Sequence, residues 1–199
     1  MSCDTKLSKG FVRKCGLRPK QGVSDKWYFN WDDVDREASQ LSADKTKITA
    51  LVLKAGAKIY EAQAVKTSKK VRHALAINDF GKGYIHTDEF IVGYRGDNEN
   101  NAIQELVDGA RIGTINKMID TGENGETSYR VAGFESGMEI TNDDFDSAAN
   151  NGTSTIICAT QEGEEEATGL KIFLMPAASE PSDLAETDAW ITANVYVPV

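Results

Sequence analysis

The sequence predicts a mainly β chain: an antiparallel β-sandwich or barrel with one flanking α-helix and an extended N-terminal arm. Three observations carry that expectation. Short runs rich in β-branched and aromatic residues recur from residue 27 onward, punctuated by Gly, Asn and Asp at turn positions. A single segment, after Asp97, repeats apolar residues at helical spacing. Strands do not alternate with long helices, as they would around a parallel nucleotide-binding sheet.

Residues 2–26 follow neither period and are broken by Gly10, Gly16, Pro19 and Gly22. They mark an extended arm, residues 1–26, ahead of one domain, residues 27–199. The aromatic run 27–31 (WYFNW) suits a strand, and the acidic turn of Asp32, Asp33 and Asp35 follows it. Residues 34–41 have room for one or two helical turns. Runs 48–53, 57–65 and 71–77, split by the Ala55-Gly56 corner and a basic loop at 66–70, read as a meander. On the last run Val71, His73, Leu75 and Ile77 share a face, because side chains alternate along a strand. In residues 84–94 the apolar positions change parity from Ile85 to Phe90, which predicts a bulge near Asp88. Asp97 as N-cap, the stripe Ile103, Leu106, Val107 and Ala110, and Gly109 as the stop define a helix over 98–108.

Strands return at 111–119 and 127–134, joined by a tip whose Asn124-Gly125 suits a type I′ turn. Further strands are expected at 153–159, 170–175 and 188–197. The last alternates Ala189, Ile191, Ala193, Val195 and Val197 against Trp190, Thr192, Asn194 and Tyr196.

With 199 residues, the chain is long enough to bury about 70 % of the surface it would expose when unfolded, so one domain is expected. No apolar run nears the roughly 18 residues of a membrane span, and the N-terminus lacks the apolar stretch of a secretory signal. Synthesis in the cytoplasm, with no membrane partner, is the expectation. Cys3, Cys15 and Cys158 form no CxxC pair, which fits free thiols in a reducing compartment. The net charge of −9 is unevenly spread. Residues 1–26 hold seven basic and two acidic side chains, net +5, so the rest of the chain carries −14. A basic arm joined to an acidic body is expected to dock on that body, or on a neighbouring copy, in preference to nucleic acid.

Catalytic chemistry finds little support. A nucleophilic triad needs a base beside its nucleophile, and the two histidines are His73, expected in a core or interface, and His86. Cys158 lies in an apolar β run and reads as packing. The acidic groups Asp32, Asp33, Asp35 and Asn142, Asp143, Asp144, Asp146 read as solvated turns, and Glu164, Glu165 and Glu166 as an exposed connection. The nearest approach to a calcium loop, from Asp120, has Gly122 at a ligand position and Val131 where a bidentate glutamate belongs. The glycines around Gly81 and Gly83 do not open a helix as a phosphate loop must. No cofactor, metal or catalytic residue is expected, so the chain reads as a non-enzyme.

The basic arm, the segment 27–33 (WYFNWDD), the runs 48–77 with their basic loop, the helix 98–108, the segment 129–140 (YRVAGFESGMEI) and the final alternating run together resemble a bacteriophage tail tube protein. That resemblance implies a β-sandwich virion subunit, six copies in a ring whose inner barrel lines a DNA-conducting channel, and rings stacked through arms and loops. The implied partners are copies of itself and other tail proteins (tape measure, terminator or baseplate). DNA would pass without specific binding. The implied location is the virion tail, assembled in the host bacterial cytoplasm. An acidic lumen fits such a role, because phosphate contacts are what make DNA stick. Alternatives are a connector ring or capsid decoration protein, a carbohydrate-binding sandwich with Trp27, Trp31 and Trp190 as its platform, or an Asp/Glu hydrolase. The expected subunit contacts are Phe11, Val12, Leu17 and Val23 in the arm, Lys66, Lys69 and Lys70 in the basic loop, and Trp190 and Tyr196 on the final run.

Overall fold

The computed structural model describes residues 10–11, 20–63, 68–79, 81–122, 125–148, 152–176 and 183–197. In chain order the elements are β1 (Val23–Asn30), a 3-10 turn (Trp31–Asp33), β2 (Gln40–Leu41), β3 (Lys47–Ala50), β4 (Tyr60–Glu61), β5 (Lys70–Asn78), β6 (Gly81–Val92), α1 (Asp97–Val107), β7 (Ile112–Met118), β8 (Tyr129–Ala132), β9 (Glu139–Phe145), β10 (Ser154–Ala159), β11 (Lys171–Phe173) and α2 (Asp183–Asn194). The strands form a seven-stranded sheet, β2-β3-β11-β8-β7-β1-β4, and a four-stranded sheet, β5-β6-β10-β9. The mainly β class, two sheets with a flanking helix, is therefore what the molecule has. All pairings are antiparallel except β11 with β3.

Strand β1 shows how the layers arise. Trp27 and Phe29 point to one face and join Ile48, Ile115, Val131, Phe173 and Ile191 in a core beneath α2. Lys26 and Tyr28 point to the other face, toward the four-stranded sheet. There Ile112, Ala132, Met138, Ile156 and Cys158 make a second core, closed at one end by Ile103 and Leu106 of α1. Gly113 sits opposite Phe29 in the β1–β7 pair, and a Cβ at that position would collide with the Phe29 ring. Only glycine lets that aromatic lie flat on the strand.

Helix α1 falls within a residue of the expected span. Its cap is Gly96, whose N–H donates to the Glu99 carboxylate at 3.0 Å, and Gly109 ends it at φ 106°.

Several expectations are corrected. Residues 188–197 form no strand. They belong largely to α2, where Leu184, Thr187, Ile191 and Val195 recur at helical spacing and pack on the seven-stranded sheet, while the alternation of alanines and larger residues coincides with a strand pattern. There are thus two α-helices. Runs 48–53, 57–65 and 71–77 are no meander: β3 pairs with β2 and β11, β4 with β1, and β5 lies in the other sheet. Residues 34–41 hold one helical turn, closed by the Ser39 N–H on the Asp35 carbonyl at 3.0 Å, and then β2, within the one or two turns expected. The register of β6 runs unbroken past Asp88 against both neighbours, so no bulge exists. The change of parity arises because two inward positions, His86 and Asp88, are polar. Residues 142–145, expected as an acidic turn, are part of β9. Finally, β1 starts at Val23, so the arm's last residues, 23–26, are sheet. The Asn124 half of the expected type I′ turn lies outside the described residues.

Candidate assembly interface

The four-stranded sheet is fixed to the body by a buried polar staple. Lys26 Nζ donates to Asp88 Oδ1 at 2.7 Å and to the carbonyls of Lys70 and Glu89 at 3.1 and 3.2 Å. Asp88 Oδ2 accepts from Thr114 Oγ1 at 3.1 Å, and Thr114 Oγ1 accepts from Asn116 Nδ2 at 2.9 Å. Both ion-pair side chains are fully buried. Burial draws the Lys26 amine down and the Asp88 carboxyl up, toward their neutral forms, against their mutual attraction.

Two further anchors hold the adjoining loops. His86 Nδ1 accepts from the Gly133 N–H at 3.1 Å, which leaves the ring proton on Nε2, 3.0 Å from the Thr168 carbonyl. Burial lowers its pKa to about 4. The Glu166 carboxylate accepts the N–H groups of Glu135 and Ser136, and burial raises its pKa. Glu166 is therefore a buried clamp where an exposed connection was expected. Cys158 is buried, as expected of packing, and burial raises its thiol to about 12.

The sheet ends in two strands that pair with no further strand on their outer side among the described residues, β5 and β9, with α1 packed against β9. They differ in charge. Strand β5 carries Lys70 and Arg72, and β9 carries Glu139, Asp143 and Asp144. Lys70 is held by Glu89 and Asp143 by Arg95, while Arg72 and Asp144 are exposed.

The β5–β6 hairpin also overhangs the core. Val71, His73, Leu75 and Ile77 lie across from Asp88, His86, Tyr84 and Lys82, so they share the core-facing side, as their alternation predicts. Yet Leu75 is 55 % and Ile77 69 % exposed. The described chain thus leaves more than half of each of these core-facing side chains open. His73, expected in a core or interface, is exposed, with its ring edge-on to Tyr84 and beside Gly169.

The expected contact residues fare unevenly. Val23 is buried in β1 opposite Met118 and is no free anchor. Trp190 is half-buried with its ring edge on Phe173 at 5.3 Å, so it belongs to the α2 core. Tyr196 is half-exposed and stacks on Tyr60 at 5.7 Å. Lys69 donates to the Ser24 carbonyl at 3.0 Å, tying the loop to β1. Phe11 is 97 % exposed. Val12, Leu17 and Lys66 lie outside the described residues. The tryptophans build no open platform: Trp27 is buried, Trp190 is packed, and Trp31 is covered by the Arg36 guanidinium at 3.8 Å.

Among the described residues no group of three His, Cys, Asp or Glu is placed to hold a metal, and no helix is long and apolar enough to cross a membrane. Comparison with protein-family models, curated proteins and solved structures gives no match. The open edges were not legible in the sequence, because β9 was expected as a turn. The signal that marks them is an acidic strand beside an even-numbered antiparallel sheet.

Proposed function

We propose that the chain is a non-catalytic structural subunit that joins copies of itself edge to edge into a closed ring, as a tail tube subunit of a tailed bacteriophage virion would. The observation that carries this reading is the pair of unpaired strand edges of opposite charge at the two ends of one sheet. Four strands, each antiparallel to the next, leave β9 running opposite to β5. A copy related by rotation thus offers its β5 antiparallel to β9, and the sheet continues across the contact. Such a head-to-tail contact closes into a ring when the rotation divides a full turn, and closure removes the exposed edges. Basic β5 against acidic β9 sets the direction and disfavours β9 against β9. The overhanging Leu75 and Ile77 gain cover from the neighbour.

The resemblance supplies the finer form: six copies, rings stacked into a tube, a DNA channel, and other tail proteins at its ends. Negative-stain images of the purified full chain test it. Rings and stacked tubes are expected. Rings that never stack would point to a connector or decoration role, and isolated monomers at high concentration would refute the reading.

A further inference from the structure

A groove of about 570 Å³ runs between α1 and β4. Its lining combines apolar surface from Tyr28, Phe90, Ile103 and Leu106 with three carboxylates, Glu61, Glu99 and Glu105. No lysine or arginine lines it. The chain also contains the inverse pattern. Residues 1–20 hold six basic side chains against one acidic, net +5, interleaved with Phe11, Val12 and Leu17. Phe11 is 97 % exposed, covered by no described residue.

We propose that the basic N-terminal arm of one copy seats in this groove of a neighbouring copy, with its apolar side chains on the apolar lining and its cations beside the carboxylates. The assignment rests on the reading that copies of this chain meet, on a surface separate from the β5 and β9 edges. An isolated acidic cluster or an isolated apolar groove would accept many occupants. The combination selects a segment that is basic and apolar in alternation, and the arm is such a segment. Geometry favours the neighbour over the arm's own body. The arm enters the sheet at Val23, while the groove runs alongside β1 from Ala62, whose N–H donates to the Lys26 carbonyl, to Asn30, and so begins about 10 Å further along the strand at about 3.3 Å per residue. Because β1 runs from Val23 toward the groove, the segment before Val23 would have to reverse its direction to reach the groove of its own copy. Charge steers the encounter, and apolar burial holds it, since exposed ion pairs alone are weak.

Cys15 lies in the arm and offers a direct test. In the full-length protein, Cys3→Ser leaves Cys15 as the arm's one thiol, and Cys158 is buried. Ala102→Cys then places a second thiol on an exposed position of the groove wall. Mild oxidation of mixed, differently tagged copies should give a disulfide between copies, and Lys54→Cys used in place of Ala102→Cys should not. Adding Glu61→Gln and Glu105→Gln should slow the reaction about fivefold at low salt, the effect of two exposed ion pairs, and raised salt should erase that difference. Cross-linking no faster at Ala102 than at Lys54, or confined within one copy, would overturn the assignment. Ring-sized assemblies without the cross-link overturn the groove assignment and leave the sheet-edge reading standing. The cross-link without rings supports the groove and counts against the sheet edges.

Discussion

Replacing Asp88 by Asn removes the carboxylate from a buried ammonium and should be among the most damaging single changes in the molecule. Lys26 is fully buried, so its charge has no water to turn to. Breaking a buried pair by removing one partner costs about 3–5 kcal/mol, chiefly because the other charge is left uncompensated. Here Lys26 Nζ keeps two carbonyl acceptors, Lys70 and Glu89, which places the loss near the lower end, about 3 kcal/mol. For a chain of 199 residues that corresponds to a melting temperature lowered by about 6–12 °C. Urea unfolding of wild type, Asp88→Asn, Lys26→Met and the double variant Lys26→Met with Asp88→Leu measures it. The double variant should recover more than half of the loss, because no charge is stranded. A loss below about 1 kcal/mol for Asp88→Asn, or a double variant as unstable as the two single losses added, would refute the view that this pair staples the sheets.

Replacing Leu75 and Ile77 by Ser should leave monomer stability nearly unchanged but weaken self-association about 30- to 700-fold. Covering the exposed half to two-thirds of each side chain is worth about 1–2 kcal/mol, and dilution series followed by sedimentation would read the change. Arg72→Glu and Asp144→Lys should each impair assembly, and the two together should restore it; failure of the pair to rescue would argue against β5 meeting β9. Acid should destabilise the fold through His86. Its folded pKa of about 4 lies below the ordinary 6.5, so the unfolded chain binds the extra proton, and stability falls as pH drops from about 6.5 toward 4. Between pH 7 and 5 urea melts should show about 2 kcal/mol more loss in wild type than in His86→Gln, and parallel slopes would contradict the assignment. Cys158, buried with its pKa pushed up to about 12, should resist a thiol reagent in the native state and react only on unfolding.

The parts of this fold legible in the sequence are those whose local pattern agrees with their environment. Strands β5 to β8, β10 and helix α1 show their own period and turn chemistry. Helix α2 was missed because Ala189, Ile191, Ala193 and Val195 satisfy a period of two as well as Leu184, Thr187, Ile191 and Val195 satisfy the helical period. A start signal is present in Ser182 and Asp183, with Glu186 three residues further on, but the alternation of 189–197 outweighs it. Asp88 looked like a defect because its partner Lys26 is 62 residues away, and local periodicity cannot see a cross-sheet ion pair. Glu166 misled for the same reason: its partners are backbone N–H groups at Glu135 and Ser136. The interface was hardest to read. Its apolar residues, Leu75 and Ile77, alternate like core, and nothing local in the sequence marks that they stay more than half exposed.

The mass of the purified full-length chain in solution, measured by sedimentation over rising concentration, tests the central claim most directly. The account predicts a closed assembly, six times the 21.7 kDa of one chain, with larger multiples as rings stack. A particle that stays at 21.7 kDa throughout would contradict it.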